Sequence, residues 1–284
     1  MSLIHLYNTP PWEWPRDAGK MIFAILCDET RDMKERIMAA ELAGDVTVID
    51  DHMAETLLAI LQDNDQPEAL RCQAAISLGP VLEETFLMDE DDMEGFEDEM
   101  GLSDRTFESI QHAMRNLYVD AGVPQIVRRR VLEASVRAPS EWHRNAVRAA
   151  FASGDHHWQL TAVFCMGYVN GFDEQILEAL QDDQKGIRYE AICAAGNRGL
   201  TTAWPYIAAI LEDKEADKDL LLAAIDAVAT THPERAEEIL AGLLDADDQD
   251  VADTALESLF MSNALLNLDD EDLDDFIDED DDIL

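Results

Sequence analysis

Basic residues are scarce in this chain: 20 Lys and Arg stand against 62 Asp and Glu, for a formal net charge of −42. That imbalance excludes a general grip on nucleic acid or anionic membrane and favours a protein partner with a basic surface. Long apolar runs are missing too. Nothing approaches the ~18 consecutive apolar residues of a membrane span. The opening Met1-Ser2-Leu3-Ile4-His5 lacks the basic region and apolar stretch of a signal peptide, so the expected location is cytoplasmic. Cysteine is limited to Cys27, Cys72, Cys165 and Cys193, far apart and with no Cys-x-x-Cys spacing. This argues against a zinc site or disulfide framework and suits thiols buried in helices in a reducing compartment. Glycine (13) and proline (9) are few, whereas 47% of residues are hydrophobic, with alanine and leucine plentiful. Helices are expected rather than a turn-rich sheet protein. No Gly-rich phosphate loop, nucleophile elbow or Ser/His/Asp order is found, so no catalytic, cofactor or metal residue is assigned.

What is present is a repeat. In Leu70-Arg71-Cys72-Gln73-Ala74-Ala75-Ile76-Ser77-Leu78-Gly79 a basic residue precedes two small residues, then leucine and glycine. On a helix the small and apolar positions fall at i, i+3, i+4 and i+7 and form one stripe. The register recurs with Arg36, Arg71, Arg128, Gln159, Arg188, Leu220 and Ala252 as equivalents, at intervals of 35, 57, 31, 29, 32 and 32 residues. A second amphipathic helix precedes each one, as at Ala54, Leu57, Leu58 and Leu61, or Ala236, Ile239, Leu240 and Leu243. Asp155, Asp173 and Ser140 stand as caps or first-turn residues, and Pro67, Pro124 and Pro233 fall where helices begin. The unit is helix, turn, helix.

With an aspartate in the turn and an arginine six residues later, this unit resembles the HEAT repeat: Asp65 and Arg71 in one copy, Asp182 and Arg188 in another. The resemblance covers roughly residues 17 to 265. It implies an all-α, right-handed α-solenoid of about seven HEAT-like helix pairs, with second helices on the concave side. It also implies a structural ladder involving Arg36, Asp65, Arg71, Arg128, Asp182 and Arg188. Gln159, Leu220 and Ala252 depart from the pattern, so the ladder is expected to break in the C-terminal half. Among enzymes that share such repeats, deoxyhypusine hydroxylases hold iron with His-Glu dipeptides, and this chain has none. DNA glycosylases of this type need a basic face, which the charge opposes. Phycobilin lyases are similar in repeat length, and the residues neither show nor exclude a tetrapyrrole groove.

Two segments interrupt or end the array. Residues 83–104 hold eleven acids and no base, as do residues 267–284. Charge repulsion opposes their compaction, and they divide the chain into an N-terminal Pro/Trp segment (1–16), repeats 1 and 2 (17–82), the insertion (83–104), repeats 3 to 7 (105–266) and the tail (267–284). The insertion does not fit a calcium loop: counted from Asp89, positions five and six are Met93 and Glu94, where Asp or Asn and then Gly are required. Phe86, Phe96, Phe276 and Ile277 among the acids give both arms the composition of segments that bind basic partners or tether to their own domain.

Between 105 and 150 the balance reverses to +4. Arg128, Arg129, Arg130, Arg137, Trp142, His143, Arg144 and Arg148, with His157 and Trp158 just beyond, form the candidate interaction residues. Three readings stay open: an anion pocket, a docking site for the preceding acidic insertion, or ordinary surface charge with tryptophans packed between repeats. Adjacent His156 and His157 point about 100° apart on a helix, which disfavours a shared metal. In the segment Asn8–Pro15, prolines exclude helix and Trp12 and Trp14 are expected to cap the stack. The leading expectation is a non-catalytic scaffold that binds a protein through its second helices or its acidic arms. The alternatives are a HEAT-like enzyme or chaperone of the phycobilin-lyase type, and an acidic decoy that mimics DNA toward a basic protein.

Overall fold

The computed structural model describes residues 2–88 and 101–272, with side chains described as far as Asn267. The central part of the acidic insertion, 89–100, and the tail from 273 lie outside the described residues. Among those described there are helices and no strands. They are α1 (Leu3–Tyr7), α2 (Ala18–Cys27), α3 (Met33–Ala43), α4 (Asp51–Gln62), α5 (Glu68–Ser77), α6 (Gly79–Leu87), α7 (Asp104–Val119), α8 (Gln125–Ser135), α9 (Glu141–Phe151), α10 (His156–Met166), α11 (Asp173–Ala179), α12 (Lys185–Asn197), α13 (Trp204–Glu212), α14 (Lys218–Thr231), α15 (Ala236–Leu240) and α16 (Gln249–Asp272). From α2 onward, leaving aside α6, they follow one another in sequence as helix-turn-helix units, and six such pairs pack within one unit or the other. The fold is an all-α array of helix pairs.

Contacts divide the chain into two compact units, Met1–Ala146 and Val147–Leu284, with the division inside α9. In the first, α2 packs on α3, α4 on α5 and α7 on α8, while the second helices α3, α5 and α8 stack in a row. In the second, α11 packs on α12, α13 on α14 and α15 on α16, and the row of second helices is α10, α12, α14 and α16. Small residues make these rows dense. Ala39, Ala40, Ala74 and Ala75 are fully buried in the first unit, as are Ala191, Ala195 and Ala224 in the second. A Cβ added to Gly44 would lie 2.5 Å from the main-chain oxygen of Ser77, so α3 and α5 meet backbone to backbone. Gly196 plays the same part toward Ala227, at 3.2 Å. That contact sets α14 one residue later than the sequence register built on Leu220, so that Leu221 is the structural equivalent of Arg188.

The turn between paired helices is built twice over. Asp28, Asp63, Asp120 and Asp213 each follow a first helix and accept a hydrogen bond from the N–H two residues on, at 2.8–3.0 Å. Eight residues after the first three of these stand Arg36, Arg71 and Arg128. Each donates its Nε to the carbonyl ten residues back, near the end of the partner helix: Leu26 (3.1 Å), Leu61 (2.9 Å) and Tyr118 (2.7 Å). Carbonyls at a helix end lack an intrahelical donor, and the guanidinium supplies one, buried at Arg36 and Arg71 and half-buried at Arg128. Arg188 reaches the Asp182 carbonyl instead, at 2.8 Å.

The N-terminal segment departs from expectation. Pro11–Glu13 form a short 3-10 turn, as proline at the first helical position permits. Only Trp14 caps the stack, its Nε1 donating to the carbonyls of Leu6 (3.0 Å) and Thr9 (2.8 Å); Trp12 is 80% exposed. Of the cysteines, Cys165 alone is fully buried, and Cys27 is exposed as the last residue of its helix.

Candidate interaction surface

The basic island folds inward more than its sequence suggests. Arg129 is buried in α8 beside Glu133, itself buried, with 3.8 Å between charged atoms. Arg130 contributes a second guanidinium to the same carboxylate at 2.5 Å. Spacings of i+3 and i+4 on one helix bring the three together. Arg137, just past the end of α8, pairs with Glu83 in α6. This ties the first residue of the acidic insertion to the island. Arg128, besides holding the Tyr118 carbonyl, sits 5.7 Å from the centre of the Tyr118 ring. A row of rings continues from there: Tyr118 to Trp142 at 5.1 Å, Trp142 to His143 at 3.8 Å.

His143 is buried between two serines. The Ser140 N–H donates to Nδ1 at 2.9 Å, which leaves the proton on Nε2, 3.0 Å from the Ser135 hydroxyl. Burial drives its pKa down from 6.5 to about 4, so the ring is neutral at physiological pH. This histidine clamps the end of α8 to the start of α9. Arg144 is exposed on α9 in the same unit.

Arg148, His157 and Trp158 belong to the second unit. His156 and His157 are exposed in the first turn of α10, ring centres 5.5 Å apart, while Asp155 caps that helix through the Trp158 N–H at 3.1 Å. Asp65 is exposed in its turn and gives its N–H to Asp63. Asp182 accepts from the Gln184 N–H at 2.8 Å. Among the described residues, the arginines of the ladder positions are held by main-chain carbonyls, not by these two carboxylates.

Sequence reasoning missed two features. One is a lysine ladder in the C-terminal half, where the arginine pattern lapses. Lys185 opens α12 and reaches across to Asp217 (2.8 Å) and Asp219 (2.7 Å) at the start of α14. Lys218 opens α14 and reaches Asp248 (2.8 Å) and Asp250 (2.6 Å) at the start of α16. Hydrogen bonds donated to these carboxylates raise both lysine pKa values, and the same bonds hold Asp217 and Asp248 below the usual carboxylate range. The signal was available as a Lys-to-Asp spacing close to one repeat.

The other is a groove of about 330 Å³ along the second helices of the second unit, lined in part by Cys193, Asn197, Asp226, Thr230, Glu257 and Met261. Small residues form its floor: Gly196, Ala223, Ala227 and Ser258. Its charged residues, Asp226 and Glu257, are both acids. Partial burial, reinforced by Glu257, raises the Asp226 pKa. Burial also pushes the Cys193 thiol up to about 11, which keeps it protonated.

The sequence matches no family model and no curated protein. Comparison with solved structures finds YibA from E. coli, at 17% identity and a TM-score of 0.39, spanning 91% of this chain and 97% of that one. Human deoxyhypusine hydroxylase in complex with glycerol is similar at 15% identity and a TM-score of 0.39, over 87% and 96%. The complex of CpcE and CpcF of phycocyanin lyase from Nostoc sp. PCC7120 gives 17% identity and a TM-score of 0.45, over 88% and 97%. No helix among the described residues is long and apolar enough to cross a membrane.

Proposed function

We propose that this chain is a non-catalytic protein-interaction scaffold, acting in the cytoplasm, that holds a basic partner along its second helices. The groove over α12, α14 and α16 carries this reading. Its floor is small and apolar, which lets a partner backbone approach closely. Its rim holds Asp226 and Glu257 and no basic side chain. A partner presenting Lys or Arg above an apolar contact fits both properties, and the overall charge of −42 would steer it in. The acidic stretches 83–104 and 267–284 add a second source of attraction for the same partner.

The test is affinity capture from the native extract by the full chain, eluted with stepped salt, beside an Asp226→Lys, Asn197→Lys variant. Asp226 stands at the groove rim and Asn197 is exposed, and circular dichroism of the variant should match wild type. One defined protein, held by the wild type at moderate salt and lost by the variant, is the expected result. A diffuse set of basic proteins that leaves both baits at low salt would replace the scaffold with a charge decoy.

A further inference from the structure

The second-helix register has a consequence at its last member. Four and eight residues beyond the arginine position, the residue is buried in every earlier second helix. Examples are Ala40 and Gly44 in α3, Leu132 and Val136 in α8, and Ile192 and Gly196 in α12. In α14, one residue later in register, Ile225 and Ala229 are buried. These positions lie toward the following repeat: Gly196 meets Ala227 of α14, and the Ile225 carbonyl accepts from Ser258 of α16 at 2.8 Å. In α16 the equivalents are Leu256 and Phe260. They are 62% and 78% exposed.

A terminal repeat that ends a stack in water carries a polar outer face. Here leucine and phenylalanine stand one turn apart on that face, with Met261, 54% exposed, beside them. The helix is also long, 24 residues against 13 for α12 and 14 for α14. Between Gln249 and Asn267 its ionisable side chains are Asp250, Asp253 and Glu257, with no base. Asp250 is already held by Lys218. The open stripe is thus apolar, helix-shaped and edged by acid.

We infer that the outer face of α16, at Leu256 and Phe260, docks an amphipathic helix from a basic protein, which continues the row of second helices by one. The stacking register supplies the shape of the occupant and the carboxylates supply its charge. Both disfavour the other two occupants. A second copy would bring a further set of acids and no base to this face. The chain's own residues 273–284 carry acids and no base. This inference rests on the scaffold reading only in that the occupant is a protein, and its residues are distinct from Asp226 and Asn197 of the groove test.

The probe is a synthetic 18-residue helix of leucine and lysine in amphipathic register, compared with its leucine–glutamate counterpart and a lysine-matched scrambled peptide. Binding to the full chain is read by fluorescence anisotropy at physiological salt, with amide exchange mapping the footprint. The expected result is binding of the amphipathic basic helix alone, protection along α16, and a Kd at least tenfold weaker in Leu256→Ser, Phe260→Ser. Both side chains are exposed, so circular dichroism of that variant should match wild type. Equal affinity in wild type and variant would overturn the proposal, since diffuse charge would then account for binding. A dimer of the full chain in sedimentation that dissociates in Phe260→Ser would assign the face to a second copy and overturn it as well. So would faster exchange at 256–264 in a full chain carrying Phe276→Ser, Ile277→Ser, which would assign the face to the tail. If capture of a defined partner persists in Leu256→Ser, Phe260→Ser, the scaffold reading stands and this docking site falls.

Discussion

The Nε of Arg71 donates to the main-chain oxygen of Leu61 across 2.9 Å, and both groups are buried. The bond joins the two helices of one pair, since Leu61 lies in the last turn of α4 and Arg71 in the first of α5. Arg36 makes the equivalent bond to Leu26 and adds one to Gln66 of the next repeat at 3.1 Å. Replacing Arg71 by Met keeps most of the aliphatic volume and leaves the carbonyl without its donor. We expect stability to fall by about 1–3 kcal/mol, as for an orphaned buried acceptor. Urea unfolding measures it, and an unchanged midpoint would show that this bond is not structural.

Close approach of α3 and α5 makes Gly44 intolerant of a side chain. In Gly44→Ala the new Cβ meets Ser77 backbone, which cannot rotate away, so the helices must part. A loss of about 1–3 kcal/mol is expected from such overpacking. Gly242→Ala is the matched control, because a Cβ there meets nothing within 4 Å. That variant should be neutral or gain up to about 1 kcal/mol from a stiffer unfolded chain.

Acid should weaken the first unit through His143 before it reaches the carboxylates. The folded pKa is about 4 against 6.5 for a free histidine, so below pH 6.5 the unfolded state takes up the proton first. Stability from the neutral ring is therefore complete above pH 6.5 and declines as pH falls toward 4, by up to about 3 kcal/mol. Asp28 and Asp63 behave differently. Hydrogen bonds from Thr30, and from Asp65 and Gln66, hold them below the usual carboxylate range. Their contribution persists above about pH 3.9 and is lost only as pH drops through the lower folded values. Denaturation series from pH 7 to 4 on wild type and His143→Gln should diverge, the variant showing a shallower slope between 6.5 and 4, where His232, its pKa also lowered by burial, still contributes.

The lysine ladder is exposed, and salt should reveal it. In Lys218→Ala the start of α16 loses its tie to α14. Amide exchange near 249–252 should quicken severalfold at low ionic strength, with little difference between variant and wild type at 1 M salt. Equal exchange under both conditions would mean the contacts at Asp248 and Asp250 carry no load.

Much of the architecture was legible from the spacing of Arg36, Arg71, Arg128 and Arg188, because an arginine that ties its own helix to the preceding helix end or turn must recur with the helix pair. The partner of each arginine was not legible. A spacing of six drew attention to Asp65 and Asp182, whereas the recurrent partner is a main-chain carbonyl, which leaves no mark in sequence. The aspartates that do recur, Asp28, Asp63 and Asp120, stand eight residues before an arginine and fasten turns. The basic island misled for a related reason. Composition records Arg129 and Arg130 as surface charge and does not record that Glu133, one turn on, draws them into contact. Leu256 and Phe260 fit the repeat register as well as any buried pair; only the absence of a following second helix among the described residues exposes them.

The turn aspartates also set terms for changing this protein's charge. Asp28, Asp63, Asp120 and Asp213 give up lone pairs to backbone N–H groups, and Asp217 and Asp248 bind lysines of the preceding repeat. Part of the acidity is mortar. A lineage or a designer wishing to lighten the charge would have to spare these positions and work on carboxylates that face only water. Drift toward still greater acidity meets no such obstacle, since each added repeat brings a turn that welcomes aspartate.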